Sequence, residues 1–225
     1  MPMKIAHISR QYAPSIGGIE EVVRNLALYQ NSTERYQSNV VTLNKVFHSD
    51  RPKLDGSEIV EGVSVRRLRW FGSHRYPIAP SVLKAIKDAD LVHVHGVDFF
   101  FDFLAATKFI HKKPLIATTH GGFFHTSFAK DLKEIYFKTL TKVSAKAYSR
   151  IICCSDNDYR IFSEIIPSDK LITVEVGVDV EKFKNASSLK QEPTIIYFGR
   201  WSANKGLLDA LHLLAKLTEQ HPTTN

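Results

Sequence analysis

Short apolar runs alternate along the chain with stretches in which apolar residues return every three or four positions. Lys4–Ser9 is such a run, and a loop rich in proline and glycine follows it. Ile19, Val22, Val23, Leu26 and Tyr29 then recur at helical spacing. Further strands are predicted at Asn39–Leu43, Val63–Arg69, Leu91–His95, Leu115–Thr119, Arg150–Cys154 and Leu171–Val176. Helical patterns separate the later ones, at about Phe100–His111, Ser127–Tyr148 and Asp156–Ile165. Strands divided by helices, without regular hairpin signals, predict a parallel sheet covered on both faces. Right-handed crossovers make that an α/β, doubly wound, Rossmann-like domain.

The pattern breaks at Lys184–Pro193, a polar stretch without large apolar groups that reads as a linker. A strand at Thr194–Gly199 and a helix at Gly206–Glu219 follow it. One strand and one helix cannot bury each other's apolar faces, so the pattern divides the chain into residues 1–183, a linker 184–193, and the opening of a second domain at 194–225. No run reaches the ~18 apolar residues of a membrane span. The start, MPMKIAHISRQY, has no apolar core of a secretory signal. The two cysteines, Cys153 and Cys154, are neighbours in a strand and point to opposite faces, so they read as reduced residues of a cytoplasmic protein. A net charge of +7 favours an anionic partner without choosing among nucleotide, phosphate, nucleic acid and acidic lipid.

Three places carry chemistry. Gly17 and Gly18 lie between the first strand and first helix, where free N–H groups and a partial positive charge suit a phosphate. The spacing is not G-x-G-x-x-G, so a dehydrogenase loses its main support, and a tight turn without a ligand remains equally open. Thr119-His120-Gly121-Gly122-Phe123-Phe124 stands at a strand's carboxyl end, where open α/β sheets bind ligands. There a histidine can donate to a hydroxyl or move a proton. His93 and His95 share a strand face, which suits wall or core roles; with no third ligand positioned by sequence, a metal site is not expected. Finally, Gly199-Arg200 ends a strand and Lys205-Gly206 precedes a helix, a pair of cations suited to a diphosphate.

The series GGIEEVVRNLA, ADLVHVHG, THGGFF, VGVDVEKF and YFGRWSANKGL resembles family-4 glycosyltransferases of the GT-B fold, over essentially the whole chain. RQYAPSIGGIEEVV, HRYPIAP and THGGFFHTSFA are similar to the α-mannosyltransferases of xanthan- and acetan-type exopolysaccharide assembly. The resemblance implies a retaining transferase that moves mannose from GDP-mannose to a polyprenyl-diphosphate-linked oligosaccharide, with no cofactor, no metal and no nucleic acid. It implies an acceptor-binding first domain and a donor-binding second one. His120 matches the histidine that contacts the donor sugar, Arg200 and Lys205 the diphosphate-binding cations, and Gly17 and Gly18 the loop that closes over the phosphates. His95, Asp98, Phe99, Gly121 and Gly122 are the acceptor-side candidates. The family's E-x(7)-E pair is missing, since no two glutamates here have that spacing. The 225 residues are therefore expected to be inactive alone. UDP-glucose or UDP-N-acetylhexosamine as donor, and a non-catalytic acceptor-binding fragment, are the competing readings.

Lys138, Lys142, Lys146 and Arg150 recur every four residues beside Leu140, Val143 and Ala147. This basic, amphipathic pattern predicts contact with an anionic membrane surface, at the inner face of the plasma membrane for a cytoplasmic peripheral protein. A solvated helix face fits the same pattern.

Overall fold

A computed structural model describes residues 1–50, 52–121, 130–178, 180–181, 184, 196–197 and 206–220. Met1–Gly177 form one compact unit and Val178–Asn225 another. In the first, β1 (Met3–Ile8) leads through α1 (Gly18–Asn31) to β2 (Tyr36–Leu43), then to β3 (Ser57–Val60) and β4 (Val63–Leu68). A small hairpin, β5 (Phe71–Ser73) and β6 (Tyr76–Ile78), and a turn of helix, α2 (Val82–Ala85), return the chain to β7 (Leu91–His95). Next come α3 (Phe99–Ala106), α4 (Lys108–His111) and β8 (Leu115–Thr118). A segment made of α5 (Lys130–Tyr136), a π-helical turn (Phe137–Thr141) and α6 (Lys142–Ala145) precedes β9 (Arg150–Cys153). The unit closes with α7 (Asp156–Phe162) and β10 (Leu171–Thr173). In the second unit, α8 (Leu207–Gln220) matches the helix expected there. Most of the strand expected over Thr194–Gly199 lies outside the described residues.

The eight-stranded sheet has the order β10-β9-β8-β7-β1-β2-β4-β3. Every pairing is parallel except that of β3 with β4. The doubly wound α/β class expected from the alternation is the one observed. Ala6, Ile8, Val92, Val94, Leu115, Ala117, Ile151 and Cys153 face one layer, with Phe101, Leu104, Phe137, Tyr148 and Phe162 packed in the same cluster. The other face holds a smaller cluster of Tyr12, Val23, Ala27, Val40, Val63 and Val65, beneath α1. Chain growth runs outward from β1 to β2 and β4, then jumps back to β7 on the other side of β1. That reversal opens a crevice at the carboxyl ends of β1 and β7.

Three local readings need correction. The β3–β4 hairpin was not expected. Its two-residue turn, Glu61-Gly62, has φ of 50° and 85°, the left-handed pair that a tight hairpin turn requires. Glu-Gly supplies this less recognisably than Asn-Gly does. The single helix predicted over Phe100–His111 is two, broken at Thr107, whose hydroxyl donates to the Phe103 carbonyl at 2.6 Å. The basic stripe also breaks. Lys138 lies in the π-helical turn, paired with Glu134 at 2.6 Å, and Arg150 is the first residue of β9, donating to the Asp169 carbonyl at 2.9 Å.

Candidate functional site

A cleft of about 420 Å³ opens at the sheet's reversal point. Ser9, Arg10 and Gln11 after β1, Gly96–Asp98 after β7 and Thr119-His120 after β8 form its floor, with Glu20, Tyr76, Lys133 and Tyr136 among the walls. The turn after β1 is tied down from several sides. The Gln11 amide donates to the Lys45 carbonyl at 2.8 Å and accepts from the Phe47 N–H at 2.8 Å, and the Ser9 hydroxyl donates to the Gln11 carbonyl at 2.8 Å. Such bonds hold the rim in one geometry before any ligand arrives.

His120 stands at the mouth of β8 with φ of 50°, and Gly121 follows with φ of 81°. A left-handed histidine is uncommon and costs energy that the surroundings must supply. Asp158, buried on α7, supplies it by accepting from the Thr119 hydroxyl and from the Gly121 N–H at 2.8 Å. Sequence reasoning missed Asp158. Its trace was Ser155-x-x-Asp158, which reads as a helix cap, and the Ser155 hydroxyl does accept from the Asp158 N–H at 3.1 Å. The carboxylate, however, reaches across to the next strand's turn.

Behind His120 lies a row of imidazoles. His95 Nδ1 is 3.0 Å from His120 Nε2, and His7 Nδ1 is 3.0 Å from His95 Nε2. His7 Nε2 is 2.8 Å from the Gln30 amide oxygen on α1. His93 sits alongside, its Nε2 2.7 Å from the Thr118 hydroxyl. Burial lowers the proton affinity of all four rings, His7 and His120 to about 4 and His93 and His95 well below the usual value. A third histidine therefore does join His93 and His95: ligand nitrogens of His7, His93 and His95 lie within 4.8 Å of one another. They are close enough to hold a metal, but His7 and His95 already spend nitrogens on each other, and a hydrogen bond occupies His93 Nε2.

The remaining candidates divide. Asp98 caps α3 by accepting from the Phe100 N–H at 2.9 Å and pairs with Arg10 at 3.1 Å on the cleft floor. Burial pushes its carboxyl up to about 6, against the pull of Arg10. Phe99 is 7 % exposed and stacks on Phe103 in the core, so it backs the wall from behind. Gly17 is extended, and a Cβ there would meet the Glu20 carboxylate, which accepts from the Ser15 hydroxyl. An anion at this helix start would have to displace Glu20. Cys154 is a free thiol 3.8 Å from His120 Nδ1, a neighbour the sequence did not suggest. Gly122, Arg200 and Lys205 lie outside the described residues.

Residues 16–182 match the Glycosyltransferase Family 4 domain, most of the chain. The chain belongs to glycosyltransferase family 4. Its curated relatives include the GDP-mannose:cellobiosyl-diphosphopolyprenol alpha-mannosyltransferases of Xanthomonas oryzae pv. oryzae (strain PXO99A), 47 % identical over 98 % of this chain, and of Komagataeibacter xylinus, 44 % identical over 96 %. The chain spans 58 % and 54 % of those two proteins. Among solved structures, the catalytic domain of starch synthase IV from Arabidopsis thaliana, bound to ADP and acarbose, matches 84 % of this chain and 54 % of its own, with a TM-score of 0.55 and 14 % identity. UDP-GlcNAc 2-epimerase from Neisseria meningitidis matches 99 % of this chain and 64 % of its own, with a TM-score of 0.51 and 14 % identity. At that identity the likenesses carry the fold alone, and it is the GT-B-type α/β fold expected from the motifs.

Proposed function

We propose that the chain is part of a retaining glycosyltransferase that moves mannose from GDP-mannose to a polyprenyl-diphosphate-linked oligosaccharide in exopolysaccharide assembly. The observation that carries this is the 44 to 47 % identity, over nearly the whole chain, to mannosyltransferases of that specificity. In this reading residues 1–183 bind acceptor, 184–193 link, and 194–225 open the donor domain. His95, Asp98, Gly121 and Gly122 line the acceptor side, backed by Phe99. His120 contacts the sugar being transferred. Gly17 and Gly18 close over the donor phosphates once Glu20 moves aside. As the nucleoside diphosphate departs, negative charge grows on its β-phosphate. Arg200 and Lys205 stabilise that charge increasingly along the reaction, each contributing on the order of 3 kcal/mol. The reading calls for no metal and no cofactor.

The test is transfer of radiolabel to cellobiosyl-diphosphopolyprenol by the gene product that carries this chain. Label is expected from GDP-mannose alone among GDP-mannose, UDP-glucose and UDP-N-acetylglucosamine. Transfer from a UDP-sugar instead reassigns the donor, and no transfer from any of them leaves a non-catalytic binding protein.

Peripheral attachment to the inner face of the plasma membrane belongs to the same proposal. Among the described residues no helix is long and apolar enough to cross a membrane. Leu132, Ile135, Leu140 and Val143 are exposed along the α5–α6 segment, beside exposed Lys142 and Lys146. Each cation near an anionic surface contributes about 1 kcal/mol. Replacing Lys142 and Lys146 by glutamine is therefore expected to weaken sedimentation with phosphatidylglycerol vesicles by about 30-fold at low salt, and much less at high salt. Unchanged binding by the double variant at low salt would make the segment a solvated face.

A further inference from the structure

The imidazole row has a direction, and one side chain sets it. The Gln30 amide oxygen can only accept, and it accepts both from His7 Nε2 and from the Ser38 hydroxyl. His7 Nε2 therefore carries a proton. A buried neutral imidazole holds only one, so His7 Nδ1 is bare and must accept. The only proton available for that contact is on His95 Nε2, which leaves His95 Nδ1 bare in turn. His120 Nε2 must then donate to His95 Nδ1, and His120 Nδ1 is left as a bare acceptor. Its neighbour, the Cys154 thiol at 3.8 Å, is a weak donor that a hydroxyl would readily outcompete.

We propose that Gln30, acting through His7 and His95, is a positioning residue that locks His120 in the Nε2-protonated tautomer, so that His120 receives a proton in a hydrogen bond from a ligand hydroxyl at Nδ1. The row ends on an amide, which does not take up a proton at ordinary pH, so it is a lock and not a proton conduit. Burial supports this by keeping every ring neutral. The step from lock to turnover rests on the reading of His120 as the sugar contact; the lock itself does not.

Ring-nitrogen NMR of the ¹⁵N-histidine-labelled chain reads the tautomers directly. The parent is expected to show His120 protonated at Nε2 and bare at Nδ1. Gln30→Glu keeps an acceptor and should retain that pattern. Gln30→Leu removes it, leaving His7 Nε2–H with no partner, and should move His120 wholly or partly to Nδ1–H. In the gene product carrying this chain, Gln30→Leu should also lower kcat about tenfold or more at little cost in KM, with Gln30→Glu restoring most of it. His120 protonated at Nδ1 in the parent would overturn the lock, as would a tautomer that does not follow Gln30 in a folded leucine variant. Stoichiometric zinc in the purified chain that disappears with His7→Gln would overturn it too, making His7, His93 and His95 a metal site. A tautomer that follows Gln30 while turnover stays level upholds the lock and instead removes His120 from the sugar.

Discussion

In the gene product that carries this chain, replacing His120 by glycine is expected to abolish most turnover while leaving the fold intact. The reasons for the two halves differ. His120 lines the cleft at the carboxyl end of β8, as do Thr119 and the Gly96–Asp98 turn. A side-chain contact made to a transferred sugar and strengthened in the transition state is worth on the order of 10²-fold. The backbone there has φ of 50°, which glycine adopts without the penalty an L side chain incurs. That relief offsets part of what is lost when His95 Nδ1 loses its donor. The melting temperature of the glycine variant should therefore stay within about 2–4 °C of the parent, the shift of about 1 kcal/mol for a domain of this size. Alanine, which keeps the strained φ, should melt lower than glycine yet be equally inactive. His120 itself takes up a proton only near pH 4, because burial outweighs the attraction of Asp158. The pH–rate profile of the parent should accordingly show no limb from His120 between pH 6 and 8. A glycine variant within threefold of parental turnover would remove His120 from the site.

Mild acid should destabilise the first unit steeply. His7, His93, His95 and His120 all hold their protons less tightly when folded than the ordinary imidazole value of 6.5. Such a group contributes its full stability above pH 6.5. Below that the unfolded chain takes up protons that the native state refuses, down to the native value. Each histidine then loses up to about 1.4 kcal/mol per pH unit, or about 2 kcal/mol between pH 7 and 5. Asp98, pushed up to about 6, works in the opposite sense and recovers stability as pH falls through that value. Asp102 is raised as well, by burial against the hydrogen bond from Tyr136. These four histidines, joined by His111, whose proton affinity burial also lowers, outweigh the two carboxyls and leave a net loss of several kcal/mol. Denaturant unfolding at pH 7, 6 and 5 measures it. His93→Gln removes one of the four sites, so its stability should fall less steeply between pH 6 and 5, by about 1.4 kcal/mol per unit. Stability that is flat or rising from pH 7 to pH 5 would contradict the burial of neutral imidazoles.

The sequence by itself determined most of the first unit's elements. Leu115–Thr118 is a short apolar run, Val63–Leu68 and Leu91–His95 place valines at alternate positions as a strand does, and α1 follows from the spacing of Ile19 to Tyr29. Those signals are local, since each depends only on which faces of a strand or helix are apolar. His120 stood out for an equally local reason, a histidine beside glycines where a strand ends. The Glu61-Gly62 turn and the break of the basic stripe at a π-helical turn escaped, because their cues are weak or lie in one extra residue per turn. What only the tertiary structure decided is which distant residues meet. His7 and His93 face each other because β1 pairs with β7, and His95 comes opposite Thr118 because β7 pairs with β8. Gln30 reaches His7 only because α1 folds back across β1. Strand order is set by the summed packing of two faces and by crossover geometry, which no single run encodes. So His93 and His95, which looked like wall or core residues, together with His7, Gln30 and Asp158, which the sequence left unremarked, form the support on which His120 is held.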